Sequence, residues 1–525
     1  MLKQNFWYIN TYMDQESLSY KTLKNSSFSF FGYTLPIVFS ILVTPLIVHR
    51  LGLENYGLYV LINTASLLIG LLDLGLSSAF IKKLSQYQAT GQNNKIKNLI
   101  YSCNSLFLII GLVGFGIMAI LGWFGNSIFG GDTAVPIFYL TAFLIGGLTF
   151  FVNNANSVYT ITPKALQRFD IFTKIDLSHI TIFSLLTIVL IFLKLGLIEL
   201  LALQFSLALI FSFIYRHHSQ KILPEVKLKF AWDKSEIISC YRFGLITMVS
   251  NISNSLLTYL DRLMIPIFLG PAQLPYYSLP GNVANHTQGV TNSLTAVIFP
   301  IASQLQSINN TEKIKELYVK STRLITVLGA AITISIIAFS DKILYFWLGK
   351  NFATNSTKIL IILALTYFLI ALYRPLSSLL LGLGQTKFLS AFSVAIAIIN
   401  FVALIILLKP WGIYGAAWAY FISVLPITIM IYLIEKKLLK LTGRTKYYFQ
   451  TTIKIVLISL ISLMIDWWLI RPLTTNILAL IILGPLAVII YLLLYRLFNF
   501  YEVEDWEKIK KFTLIIVKRL LKLPN

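Results

Sequence analysis

The sequence predicts an all-α polytopic membrane protein of about fourteen transmembrane helices, and three observations carry that prediction. Hydrophobic residues fill 57% of the 525 positions and charged ones only 12%, where a soluble chain carries charge on roughly a quarter. The apolar residues gather in runs near twenty long, the length that a ~30 Å hydrocarbon core demands of a helix. Lys and Arg crowd into every second gap between the runs, with about four-fifths of the 43 on one side.

Taken in order, the expected spans are 28–48, 58–80, 99–122, 135–158, 176–194 and 196–214, then 243–269, 275–303, 321–340, 357–381, 388–408 and 411–433. Two more follow at 451–471 and 476–497. The first 27 residues include Lys3, Asp14, Glu16, Lys21 and Lys24, too polar for a secretory signal core, so the first run reads as a retained span. The charge alternation places both termini in the cytoplasm. Outer loops are short; the longest runs from Asp341 to Ser356. The net charge of +22 would suit nucleic acid only if it formed a basic face on a soluble fold, so it reads as topology and no nucleic acid is expected. After the last span, Trp506, Ile509, Ile516 and Leu520 share a helical face among lysines, the pattern of a helix lying on an anionic leaflet. Cys103 and Cys240 lie in unlike surroundings and yield neither a metal spacing nor a disulfide framework.

A weak internal repeat recurs at 218 residues. Leu51–Gly52 matches Leu269–Gly270, Tyr59 matches Tyr277, Ser85–Gln86 matches Ser303–Gln304, and Gln167 matches Gln385. It pairs spans one to six with spans seven to twelve. Six helices per half give both halves the same orientation, related by a pseudo-two-fold axis along the membrane normal. The expected organisation is a cytoplasmic segment 1–27, an N-lobe 28–214, an inter-lobe loop 215–242 and a C-lobe 243–433. Two extra spans at 451–497 and a basic cytoplasmic tail 498–525 complete it.

Polar side chains persist in hydrocarbon mainly where they face protein or a water-filled cavity. Three spans carry them at helical spacing. The second has Asn63, Ser66, Gly70, Asp73 and Ser77; the seventh has Asn251, Asn254, Ser255, Thr258, Asp261 and Arg262. The eighth has Asn282, Asn285, His286, Gly289, Asn292 and Ser293. Small and amide residues also glue helices together, and that reading serves for Ser and Gly. The charged members are harder to absorb, since Arg262 lies roughly 12 Å below the loop at Gly270 at ~1.5 Å per residue. Arg374, beside Pro375, reads either as a snorkelling anchor or as a cavity residue. His286 reads either as a hydrogen-bonded packing residue or as a proton relay. An amide-rich lining with a few cations suits a sugar carrying phosphate.

Four segments then resemble a known family. HRLGLENYGLYVLINTASLLIGLLDLGLSSAFIKKLSQY (His49 to Tyr87) is similar to the signature of polysaccharide transporters and O-antigen flippases, within the multidrug, oligosaccharidyl-lipid and polysaccharide exporter superfamily. KALQRFDIFTKIDL, YLDRLMIPIFLGPAQLPYYSL and IYGAAWAYFIS resemble the family's inner loop after span four, the start of its second half and the start of span twelve. The resemblance implies a flippase for undecaprenyl-diphosphate-linked oligosaccharide in a bacterial inner membrane, working by alternating access. It implies a cationic lumen, which fits Arg262 and, with them, Arg50, Arg374 and His286; Arg50 reads equally as a rim anchor. Asp73 and Asp261 are the acids best placed for ion coupling. Partners would be the lipid-linked glycan, the bilayer, a glycan polymerase and other assembly proteins, with no cofactor or metal. A lipid II flippase shares the diphosphate chemistry. A cation-coupled drug antiporter would need more acids in the lumen. A glycan polymerase would need a catalytic loop, and the short loops hold no phosphate-cradling Gly-Lys motif or metal-binding His pair.

Overall fold

A computed structural model describes the backbone of residues 2–130, 136–227, 229–295, 297–437, 439 and 444–498. It describes the side chains within 36–130, 136–227, 229–241, 252–295, 297–385, 387–437, 439 and 453–498. The expected interfacial helix after residue 498 lies outside the described residues, as does the side chain of Asn251. The described residues form helices and no strand. In chain order they are α1 (Leu2–Ile69), α2 (Leu76–Ala89), α3 (Asn93–Trp123), α4 (Gly125–Phe129), α5 (Pro136–Ala155), α6 (Ser157–Ala165), α7 (Phe169–Phe192), α8 (Leu197–Ile222) and α9 (Lys234–Leu269). Then come α10 (Leu274–Thr295), α11 (Ile298–Ser307), α12 (Thr311–Ala338), α13 (Ser340–Leu348), α14 (Lys350–Gly382), α15 (Thr386–Val424), α16 (Pro426–Lys437), α17 (Arg444–Ile465) and α18 (Ile477–Leu497).

Among the described residues, ten stretches are long and apolar enough to cross a membrane. Two of them, Pro36–Asp73 and Lys387–Lys437, each hold two expected spans, because α1 is broken at Gly52 and α15 at Gly412. The other two expected spans are α9 and α10, the helices that carry polar stripes. The chain is a multi-pass membrane protein. Several spans are more broken than their hydropathy foretells. The second stops at a 3-10 turn, Gly70–Asp73, and passes through left-handed Leu74 and Gly75 before α2 resumes. Polar caps start other helices: Asn310 accepts from Lys313 N at 3.1 Å, and Asn476 accepts from Ala479 N at 2.8 Å.

The 218-residue spacing reappears in the backbone itself. Gly52 (φ 75°) pairs with Gly270 (φ 82°), Gly91 with Asn309 and Lys194 with Gly412, all left-handed and all 218 apart. Gly130 with Gly349 and Gln167 with Gly384 miss that spacing by one residue. Every positive-φ residue described after Gly270 thus has a counterpart before it. The turns repeat where few side chains do.

By packing, the chain divides into two compact units, Met1–Pro275 and Tyr276–Asn525. In the first, α3 and α5 approach closely through glycines. A Cβ on Gly114 would lie 2.0 Å from the Phe150 ring, and one on Gly122 2.8 Å from Phe143. Gly57 lets α1 meet the turn at Pro271, whose carbonyl oxygen would stand 1.9 Å from an added Cβ. The seventh span, α9, belongs to this unit by its packing on α1 and α2, so the unit boundary falls about one span later than the expected lobe boundary. Cys103 and Cys240 share one buried core, so the fold joins two residues whose sequence contexts are unrelated. In the second unit, α17 and α18 pack on α12 around Val327, Ala331, Ile458 and Tyr491.

Candidate functional site

In the first unit, Asn63 is engaged in packing. Its Nδ2 donates to the Tyr59 carbonyl at 2.8 Å, and Gln204 Nε2 of α8 donates to its Oδ1 at 3.0 Å. Asp73 does the work of a helix cap, its carboxylate accepting from Ser77 N at 3.0 and 3.3 Å where α2 begins. Asp261 is buried, whereas Arg262 is half-buried with its guanidinium 5.8 Å from the Tyr259 ring centroid. Asn254, one helical turn before Thr258, is exposed. Arg50 is exposed and donates Nη2 to the carbonyl of Lys194, just past the end of α7. That bond ties the side chain to the turn after α7.

The second unit holds a different arrangement. On α10, Thr287, Gln288, Thr291 and Thr295 form one buried face, while Asn282, Asn285, Asn292 and Ser293 form an exposed one. His286 lies between them, half-buried, and Gly289 follows one turn after Asn285. Exposed amides in the middle of a span are costly against lipid tails, so that face fronts water or a ligand. On the buried face, Gln288 Nε2 donates to the Tyr367 carbonyl of α14 at 2.8 Å. This bond fixes the amide so that its oxygen accepts from Arg374 Nε at 3.0 Å. No carboxylate pairs with Arg374 among the described residues. The two Nη nitrogens, the fork that grips a phosphate in two-point fashion, are thus left to other partners. A buried glutamine thus holds the Arg374 side chain by one nitrogen.

Sequence reasoning missed Gln204 and Gln288. A signal existed: Gln288 sits off the register of the asparagine stripe, and a buried amide in a span must find a partner. It missed a third cluster altogether. Lys83 Nζ of α2 lies 2.7 Å from Glu236 Oε2 near the start of α9, and Tyr87 Oη donates to the same carboxylate at 2.9 Å. Burial works most strongly against the charge on Lys83, but its bond to Glu236 and the neighbouring Glu236, Cys240 and Tyr87 together outweigh that and hold its pKa above the ordinary value of 10.5. Asp466, in the π-helical turn Asp466–Ile470 after α17, is fully buried. No group of three or more His, Cys, Asp or Glu suited to a metal occurs among the described residues.

Comparison with known proteins gives relatives, a fold and a family. The chain is 23% identical over 429 residues to a Shigella flexneri protein named "Putative O-antigen transporter", covering 77% of this chain and 95% of that one. It is 27% identical over 185 residues to the Haloferax volcanii protein named "Probable low-salt glycan biosynthesis flippase Agl15", covering 35% and 39%. Its fold is similar to that of the lipid II flippase MurJ in an inward closed conformation, with a TM-score of 0.70, 15% identity, and coverage of 91% of this chain and 98% of that one. Residues 47–357 match the model of a single family, and on that match the chain belongs to the polysaccharide biosynthesis proteins.

Proposed function

We propose that the protein is a flippase that carries undecaprenyl-diphosphate-linked oligosaccharide from the cytoplasmic to the outer leaflet by alternating access. The observation that carries this reading is Arg374, half-buried in a span, held by a neutral amide and given no counter-ion, on a helix packed against α10, whose other face exposes asparagines. A cation in that state is suited to a phosphate, and the amides to sugar hydroxyls. The names of its relatives, an O-antigen transporter and a glycan biosynthesis flippase, support the same cargo class. A lipid II flippase would bind the same diphosphate, and the fold shared with MurJ keeps that as the second reading. The protein acts as a transporter without a chemical step. It resides in a bacterial inner membrane with both termini cytoplasmic, as the Lys and Arg alternation requires, and hands its cargo to a glycan polymerase and other assembly proteins. Arg262, Asn251 and Asn254 in the first unit, and His286, Asn282 and Asn285 in the second, are further candidates for cargo contact, each within its own unit, with Asp261 as the remaining acid for ion coupling.

The test is a strain lacking the gene. Lipid-linked oligosaccharide should accumulate on the cytoplasmic side and disappear when the wild-type gene is restored. A strain that exports normal surface glycan without the gene overturns the reading. A reporter fused after residue 525 should be active only in the cytoplasm; a periplasmic signal would invert the topology.

A further inference from the structure

A further basic site lies within the first unit. The end of α8 and the segment after it line an open cavity of about 480 Å³, formed by Arg216, Gln220, Pro224, Lys227 and Lys229. The positive-inside rule alone explains lysines in this connection; it does not explain their convergence on one cavity. Nor does it explain how firmly they are placed. Residue 227 and residues 229–233 form a strap fastened to the first half of α3. Asn104 Nδ2 donates to the carbonyls of Lys227 and Lys229 at 3.0 and 3.2 Å, and Ser105 Oγ donates to that of Ala231 at 2.9 Å. Ser102 Oγ accepts from Asp233 N at 3.2 Å, and Asn98 Nδ2 reaches the Asp233 carboxylate at 3.1 Å. Arg216 is half-buried with its guanidinium 5.7 Å from the buried ring of Tyr159. None of the three cations has a carboxylate partner among the described residues, although Glu225 stands in the same segment. Phe230 and Trp232 follow on the strap, exposed, as aromatic residues do at the level of lipid headgroups.

We propose that this cavity binds the phosphate of a lipid in the inner leaflet. Basic pockets between helices on the cytoplasmic side are suited to such headgroups, and the aromatic residues set its depth. The side of the membrane rests on the topology proposed above; the binding chemistry does not. Two lipids carry the required group: an anionic phospholipid of the bilayer and the diphosphate carrier of the cargo.

The experiment uses full-length protein in phosphatidylcholine nanodiscs, doped with cardiolipin in one arm and with undecaprenyl diphosphate in the other. Both arms carry Arg374→Ala, which removes the proposed cargo grip, so the result does not depend on that site. Retained lipid is counted by native mass spectrometry. The expected result is one lipid per chain in at least one arm, and that arm identifies the source. Combining Arg216→Gln, Lys227→Gln and Lys229→Gln should weaken retention at least about tenfold, as the loss of three cations from a headgroup site implies. The control pair Lys436→Gln and Lys437→Gln should leave it unchanged. Asn104→Ala, which frees the strap but keeps every charge, should also weaken it. Retention of neither lipid overturns the proposal, as does an equal loss in the triple and control variants, or full retention with Asn104→Ala.

Discussion

Lys83 in the first unit and Arg374 in the second are both cations withdrawn from solvent, and their surroundings are opposite. Lys83 meets a carboxylate at 2.7 Å, and the tyrosine that shares that carboxylate completes a closed cluster. Arg374 meets only the oxygen of an amide whose other end is bonded to backbone. The first arrangement uses up its charge in joining α2 to α9. The second spends one nitrogen on position and keeps the rest. Burial of a charge is therefore no mark of function by itself; the mark is burial without a counter-ion, in a setting built to hold the group still.

That contrast is open to measurement, and the largest effect should come from the closed cluster. Glu236→Ala leaves Lys83 buried without its counter-ion and should cost about 3–5 kcal/mol of stability, read as a lowered melting temperature in detergent. An unchanged melting temperature would mean the cluster is not structural. Arg374→Ala should do the reverse: the protein accumulates normally while surface glycan export falls about 10- to 100-fold, the worth of one or two charged hydrogen bonds at 1.5–3 kcal/mol. Unchanged export removes Arg374 from the mechanism. Gln288→Glu makes Arg374 resemble Lys83 by giving it a carboxylate. Export should drop nearly as far as in Arg374→Ala, with melting temperature held or raised; normal export would show that the free charge does not matter.

A pH series sharpens the same point. The pKa of Lys83 is raised in the folded protein, so its ion pair stabilises fully below the ordinary value of 10.5 and is lost only as pH climbs through the raised one. Melting temperature should therefore begin to fall above about pH 10.5 in wild type, and this alkaline loss should shrink in Glu236→Gln. The smallest effect belongs to Arg50→Ala. One exposed hydrogen bond to the Lys194 carbonyl is worth about 0.5–1.5 kcal/mol, and export should stay near wild type. A large export defect there would move Arg50 from the rim into the transport path.

Much of this was legible in advance, for reasons that differ by feature. The spans were readable because hydrocarbon imposes a length, and the asparagine stripe of α10 because a helix repeats every three or four residues. The break at Leu74–Gly75 was not, since apolar residues continue through it and hydropathy has no term for a left-handed leucine. Gln288 and Tyr367 are 79 residues apart, and Lys83 and Glu236 are 153 apart. Periodicity cannot reach across such intervals. The same limit hid the strap of residue 227 and residues 229–233, which as sequence is only a basic loop and as structure is fastened down by Asn98, Ser102, Asn104 and Ser105.

The left-handed residues also act as a ruler. From Gly52 to Gly91 and from Gly270 to Asn309 the chain takes 39 steps each time; from Gln167 to Lys194 it takes 27, and from Gly384 to Gly412 it takes 28. Side chains between these marks have drifted almost freely, yet the mileage over these intervals differs by one residue at most. A membrane of fixed thickness tolerates changes of letter far better than changes of length. Insertions inside these intervals should therefore be harder to accommodate than most substitutions, and relatives too diverged to align by identity should still keep the same distances.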